Sequence, residues 1–284
     1  MPKLLVVGGP TASGKTALAI ELARELQTEI ISADSRQFYR EMRIGNARPE
    51  PEELAAVPHH FIADRSLEDP LSAGRFAEEA MTLLEDLFQR HQTVVVCGGS
   101  GLYVRALCEG LDEFPEVTEG ARSQVQRWEE GQGVERLRTE LAHRDAAYYA
   151  VVDKDNPRRL ARALEVCLSS DQPYSAYLGN RPARPFDIEY RITNLPRPEL
   201  YDRINHRVDL MLAAGLEAEA RSLETYRHLP ILQTVGYQEW WPYFDGAYDR
   251  ARAVELIKRN SRRYAKRQVT WFAKFARTGS TECQ

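Results

Sequence analysis

Residues Gly9-Pro10-Thr11-Ala12-Ser13-Gly14-Lys15-Thr16 fit G-x-x-x-x-G-K-[ST] at every fixed position. Glycines at those places let successive backbone N–H groups turn into one cavity, which suits phosphate oxygens. Lys15 adds a positive charge there, and the Thr16 hydroxyl is placed to hold Mg2+ as the metal's protein ligand. Leu4–Val7 before the loop reads as a short buried strand, and Thr16–Gln27 after it carries apolar residues at helical spacing. The N-terminal dipole of that helix faces the same anion. The loop is therefore expected to bind a polyphosphate. Kinases, ATPases, switch GTPases and group transferases all use such a loop, so the reaction must be read elsewhere.

A carboxylate comes next. Glu29–Asp34 is a second apolar run that ends in Asp34. Ligands of open α/β sheets bind outside the carboxyl ends of strands, which puts Asp34 beside the phosphate loop. A helix N-cap is the simpler role for the same residue. Ser35, Arg36, Gln37, Phe38 and Tyr39 follow, with Arg40, Arg43 and Arg48 close behind. Aromatics interleaved with Arg and Gln can stack on and hydrogen-bond a nucleic-acid base. Thr93–Cys97 reads as a strand buried on both faces and opens into Gly98-Gly99-Ser100-Gly101. ATPase strands of this kind usually end in a carboxylate for Mg2+ and water, and here glycines stand instead.

The elements that must position these groups follow from the rest of the chain. Its 284 residues are 43% apolar and 28% charged, as expected of a globular protein with ample core. No run approaches the ~20 apolar residues of a membrane span, and the N-terminal apolar piece is too short for a signal segment. Cys97, Cys108, Cys167 and Cys283 are scattered, as in a cytoplasmic protein with reduced thiols. Pro49–Pro58 reads as a linker, His59–Ile62 as a strand and Ser72–Arg90 as a helix. His59 and His60 point to opposite faces of any strand, so they share no metal.

From about Gly110 the alternation of strand and helix stops. Ala121–Ala142 is helical in pattern, and Asn156-Pro157 opens a helix that bears Arg158, Arg159 and Arg162. Ile188–Leu195 resumes the sheet, and Pro198–Leu223 is helical, with Arg203 and Arg207 one turn apart. Val235-Gly236-Tyr237 with Trp240-Trp241 forms an aromatic patch, and Ala251–Ala276 is the last helix. The expected fold is α/β: a P-loop NTPase-like parallel sheet flanked by helices in residues 1–110 and 185–284, with an inserted all-helical subdomain at 111–184.

Charge is unevenly spread. Arg250 to Arg277 holds ten Lys or Arg and one acid, a charge of +9, so the remainder carries −13 in a chain of net charge −4. Basic residues at near-continuous spacing, with Tyr264 and Trp271 among them, fit phosphate contacts plus base stacking. A solvated helix face is the alternative for such a run.

Seven motifs occur in one order over nearly the whole chain. They are the phosphate loop, Ala33-Asp34-Ser35-x-Gln37-x-Tyr39, Gly98-Gly-Ser-Gly-Leu-Tyr103, Asn156-Pro-x-Arg-x-x-Arg162-Ala-Leu-Glu, Arg207-x-x-x-Met211, Val235-Gly-Tyr237 and Tyr264-Ala-Lys-Arg-Gln-x-Thr-Trp271. Together they resemble the tRNA dimethylallyltransferase (tRNA isopentenyltransferase) family. The resemblance implies transfer of a dimethylallyl group from dimethylallyl diphosphate to N6 of the adenosine 3′ of the anticodon, with Mg2+. It implies Asp34 as the base, with Lys15, Thr16 and Arg207 on the diphosphate. It also implies an anticodon stem-loop contacted by Asp34, Ser35, Arg36, Gln37, Ser100, Gly101, Arg158, Arg159, Arg162, Gly236, Tyr237, Arg262, Lys266, Arg267, Gln268 and Trp271. A monomer acting in the cytoplasm is expected. Asn46 and Arg48 stand where the family commonly has Thr and Lys, and Ser100 where it has Thr. Three alternatives stay open on the residues alone: a small-molecule P-loop kinase, an adenylate isopentenyltransferase acting on free nucleotide, and a nucleotide-binding switch.

Overall fold

Successive apolar residues of the first strand face opposite sides of the sheet and set two layers of core. The computed structural model describes residues 1–275; Ala276, Arg277 and Cys283 lie outside the described residues. In β1 (Lys3–Gly8), Leu4 and Val6 join the larger cluster on one face, while Leu5 and Val7 join a smaller one on the other. Successive strand side chains point to opposite faces, so this run needs helices on both sides. α1 (Lys15–Glu25) supplies one layer by burying Ala19 and Ala23 over Leu5 and Val7. β2 (Ile30–Ser32) follows, and then α2 (Pro51–Ala56). The segment expected to be a linker is thus a helix. Pro51 sits at its first turn, and a reciprocal Glu50–Glu53 capping box satisfies amides that a linker would leave to water.

β3 is only His59–His60, and α3 (Ala73–Arg90) starts on Ser72, whose hydroxyl accepts from the Arg75 amide at 3.2 Å. α3 buries Phe76, Ala80, Leu84 and Leu87 in the larger cluster, the other layer of the sandwich. β4 (Thr93–Gly98) leads into α4 (Gly101–Glu109). All strands pair in parallel, in the order β3-β2-β4-β1-β5, with Gly8 opposite Gly98 on one side and Ile192 of β5 (Asp187–Ile192) on the other. A Cβ at Gly98 would come within 2.4 Å of the Ala33 carbonyl oxygen, so glycine there lets two chain turns meet at the carboxyl end of the sheet.

The chain divides into two compact units, Met1–Cys108 with Arg184 onward, and Glu109–Ala183. The second is helical: α5 (Glu119–Arg144), α6 (Ala146–Val151) and α7 (Pro157–Ser170). Its core pairs Val125, Leu137 and Leu141 with Leu160, Ala163 and Leu164. α5 is interrupted at Gly133, whose φ of 66° and ψ of −159° are not helical. Asn156 caps α7 by accepting from the Arg159 amide at 3.3 Å. Arg158, Arg159 and Arg162 are all exposed on α7.

In the first unit, α8 (Arg197–Ala213) and α9 (Leu216–Ser222) replace the single helix expected over Pro198–Leu223. Gly215 breaks it with a φ of 100°, a conformation glycine adopts without steric cost. α10 (Trp240–Phe244) and α11 (Arg250–Phe272) complete the fold. Trp240 and Trp241 are buried, so the expected aromatic patch is core. Among the described residues no helix is long and apolar enough to cross a membrane.

Candidate active site

The carboxyl ends of β1, β2 and β4 bring the chemistry together. The Gly9–Thr16 loop leaves β1 with Gly9, Ala12 and Gly14 at φ of 149°, 64° and 88°. Ser13 Oγ donates to the Pro10 carbonyl at 2.8 Å and lies 2.6 Å from Thr193 Oγ1 at the end of β5. Lys15 Nζ reaches the Pro10 carbonyl at 3.4 Å, so the ammonium folds back over the loop.

Asp34 lies just past β2 and is 7% exposed. Its Oδ1 accepts from the Arg36 amide at 3.2 Å, and Arg36 Nε is 3.9 Å from the same oxygen. Arg36 also donates to the Val235 carbonyl at 3.3 Å and stacks over the Tyr264 ring, its guanidinium carbon 5.2 Å from the centroid. Arg207, on α8, donates to Thr11 Oγ1 and to the Ala47 carbonyl, both at 3.4 Å. Thr11, Arg36, Arg207 and Tyr264 share a small cavity with the apolar side chains of Ile204, Val208 and Met211.

Three cations therefore face one carboxylate. Burial lowers the Lys15 pKa; Asp34 and Cys97 oppose that shift, while Arg207 and Arg36 reinforce it. Burial likewise lowers Arg207, with Arg36 adding to the effect and Asp34 opposing it. Burial works against the charge of Arg36 too, but Tyr264, Asp34, Tyr237 and Glu239 hold its pKa above the ordinary value. Burial pushes the Cys97 thiol up to about 11, so it stays protonated and is no nucleophile at neutral pH. A pocket with this surplus of half-buried positive charge is suited to an anion.

Thr16 is the loop residue that could hold a metal. Thr16 is partly exposed in the first turn of α1, next to the loop. Among the described residues no group of three His, Cys, Asp or Glu could hold a metal. Mg2+ needs none, because it keeps several waters and binds through one or two protein oxygens plus substrate phosphates.

Several residues expected to touch RNA make bonds within the protein. Gln268 is buried; its Oε1 accepts from the Thr11 amide and its Nε2 donates to the Gly99 carbonyl, both at 2.9 Å. It bridges the phosphate loop to the second glycine turn. Tyr237 is wholly buried against Gly45, and its hydroxyl donates to Glu219 Oε1 at 2.6 Å. Gly236 is buried as well, its amide donating to Glu239 Oε2 at 2.9 Å. Ser100 is buried, and its Oγ accepts from the Ser35 amide at 3.0 Å. Phe38 and Tyr39, expected to stack on a base, pack in the core. Gln37 accepts from Ser32 Oγ at 3.1 Å and donates to the Ala47 carbonyl at 3.0 Å.

Trp271 packs its indole on Gly101, and Arg262 donates to Asn205 Oδ1 at 2.6 Å. Lys266 and Arg267 are exposed on α11. The sequence reading missed two residues altogether: Glu219, and the buried Glu239, which also accepts from Asn260 Nδ2 at 2.8 Å. Nothing local marks Glu219, whose amide partners lie far away in the chain, whereas Glu239 bonds to the Gly236 amide three residues before it as well as to Asn260.

Residues 37–275 match the model of the IPP transferase family. The chain belongs to that family. It is 48% identical to a tRNA dimethylallyltransferase of Cytophaga hutchinsonii, over 96% of this chain and 90% of that one. It is 45% identical to tRNA dimethylallyltransferase 1 of Bacteroides thetaiotaomicron, over 96% and 89%. Among solved structures, a full-length tRNA isopentenylpyrophosphate transferase from Bacillus halodurans superposes with a TM-score of 0.72 at 34% identity, over 100% of this chain and 90% of that one. A eukaryotic dimethylallyltransferase acting on tRNA gives 0.82 at 24% identity, over 96% and 70%, a likeness of fold. The chain is thus a prenyl-transferring enzyme of the tRNA dimethylallyltransferase family, and the kinase, free-nucleotide and switch readings fall away.

Proposed function

We propose that the chain transfers a dimethylallyl group from dimethylallyl diphosphate to N6 of the adenosine 3′ of the anticodon in tRNA, releasing diphosphate. The observation that carries this reading is the convergence of Lys15, Arg36 and Arg207 on the buried carboxylate of Asp34. An exocyclic adenine amine is a poor nucleophile because its lone pair is delocalised into the ring. Asp34 takes one proton from N6 as the bond from nitrogen to the prenyl C1 forms. The C1–O bond breaks in the same step, and its electron pair leaves on the diphosphate. Loop amides, Lys15 and Arg207 stabilise that developing charge in a partly dry site. Gln268 occupies the Thr11 amide, so that donor is withheld from the phosphates while the Gln268 bridge stands.

Thr16 would hold Mg2+, which supplies charge neutralisation on the leaving diphosphate. The apolar side chains beside Arg207 receive the prenyl group. Exposed Lys266 and Arg267 on α11, and Arg158, Arg159 and Arg162 on α7, are the phosphate contacts for the stem-loop. A base in a loop costs little to flip out. We take the enzyme to act as a monomer in the cytoplasm.

The test is mass spectrometry of tRNA nucleosides after incubation with the protein, Mg2+ and dimethylallyl diphosphate. N6-dimethylallyladenosine confined to the position 3′ of the anticodon is the expected result. Product from free adenosine monophosphate, with none from tRNA, would overturn it.

A further inference from the structure

Glu219 on α9 holds a loop that no sequence motif connects to it. Its Oε2 accepts from the amides of Arg43 and Ile44 at 2.9 and 2.8 Å, and its Oε1 from the Gly45 amide at 2.9 Å. The Tyr237 hydroxyl adds a fourth donor at 2.6 Å. Three successive backbone N–H groups around one carboxylate form an anion-binding nest filled by the protein's own side chain. Such charge-assisted bonds are about twice as strong as neutral ones. A Cβ on Gly45 would sit 2.5 Å from the Tyr237 ring, so the loop is also pressed onto that ring.

The far end of the same loop faces the site. Ala47, at a φ of 53°, turns its carbonyl to accept from both Gln37 Nε2 and Arg207. Among the described residues, Arg207 makes one further hydrogen bond, the 3.4 Å contact with Thr11 Oγ1. A long, half-buried guanidinium with two long hydrogen bonds is placed only as well as its acceptors are.

We infer that Glu219 is a positioning residue for Arg207, acting through the Arg43–Arg48 loop and the Ala47 carbonyl. The inference rests on the reading of Arg207 as a diphosphate clamp. Replacing Glu219 by Gln removes the charge and puts an NH2 where an oxygen accepted, so at least one loop amide loses its partner. The loop relaxes, the Ala47 carbonyl shifts, and Arg207 no longer points at the leaving group.

The experiment is a double-mutant cycle on the full chain with Glu219→Gln and Arg207→Ala. Calorimetry with dimethylallyl diphosphate and Mg2+ in the absence of tRNA gives Kd, and thermal melts are run beside it. Glu219→Gln should weaken dimethylallyl diphosphate by about tenfold in the parent background, mid-range for coupled neighbours. In the Arg207→Ala background it should cost little, while its lowering of Tm stays the same in both. If Glu219→Gln does not fold, Glu219→Asp, which keeps the charge and shortens the reach, carries the same comparison. An unchanged Kd beside a lowered Tm, or an equal loss of affinity in both backgrounds, would overturn the inference. A parent protein that binds dimethylallyl diphosphate but prenylates no tRNA would sink the proposed function and leave this coupling measurable.

Discussion

Two loops meet at Arg207, and they differ in how much of their shape comes from their own bonds. The Gly9–Thr16 loop carries its own instructions: glycines at 9 and 14 take the backbone angles the turn needs, and Ser13 and Lys15 bond back to Pro10. The Arg43–Arg48 loop also has internal bonds, with Asn46 Oδ1 accepting from the Arg48 amide at 3.0 Å. Asn46 Nδ2 also donates to the Arg36 carbonyl at 3.0 Å, but the loop's first three amides are held by Glu219, 174 to 176 residues further on. A loop whose donors are pinned from a distance can be moved by a change far from the chemistry. The Gly9–Thr16 loop has distant partners too, Gln268 and Thr193, but its own glycines and its bonds to Pro10 make it less dependent on them. Arg207 touches one of each, which makes it the point where the contrast can be measured.

The largest expected effect comes from Asp34, which belongs to neither loop. Its carboxylate is oriented by the amide two residues on, so its removal should leave both loops standing. Asp34→Ala should cut single-turnover transfer to tRNA by ~10²–10⁴. Affinity for dimethylallyl diphosphate should hold or tighten, because Lys15 and Arg207 lose a competing negative charge. Near-parent turnover would make Asp34 a structural residue and send the search for the base elsewhere.

Gln268 tests how self-sufficient the phosphate loop is. Gln268→Leu leaves the Thr11 amide and the Gly99 carbonyl without their partner, at a cost of about 1–3 kcal/mol for each buried group. A lower Tm is expected together with dimethylallyl diphosphate binding weakened by about fivefold, because loss of the loop's shape outweighs the one amide it frees. If melting falls while calorimetric affinity stays at the parent value, local bonds alone shape that loop and the contrast with Arg43–Arg48 is sharper than drawn.

The smallest effect is a pH dependence. Burial depresses the Lys15 pKa in the folded protein, so its ammonium costs stability at low and neutral pH. That cost is relieved as pH rises through the lowered value, and the uncharged amine is then the commoner form. A bound diphosphate favours the ammonium. Affinity for inorganic diphosphate should therefore fall as pH rises, beginning below the pH at which an ordinary lysine titrates. Lys15→Met should bind more weakly and show a flatter profile. An equal slope in parent and variant would assign the dependence to another group.

Much of this was legible because it is contiguous. Strand, glycine turn, Lys15, Thr16 and the helix after them lie in one stretch, and each constrains its neighbour through backbone geometry. Asp34 could be read from its place at a strand end, and the helical unit from the loss of alternation after Gly110. The Glu50–Glu53 capping box was legible too, but three prolines drew that segment toward a linker. Tertiary structure alone decided the rest. Gln268 and Tyr237 carry groups that suit RNA, yet burial turned both inward, where an unpaired polar group is costly and an internal partner is needed. Glu219 looks like any other acid on a helix. Only folding brings three amides from the Arg43–Arg48 loop to its carboxylate, and with them the carbonyl that faces Arg207.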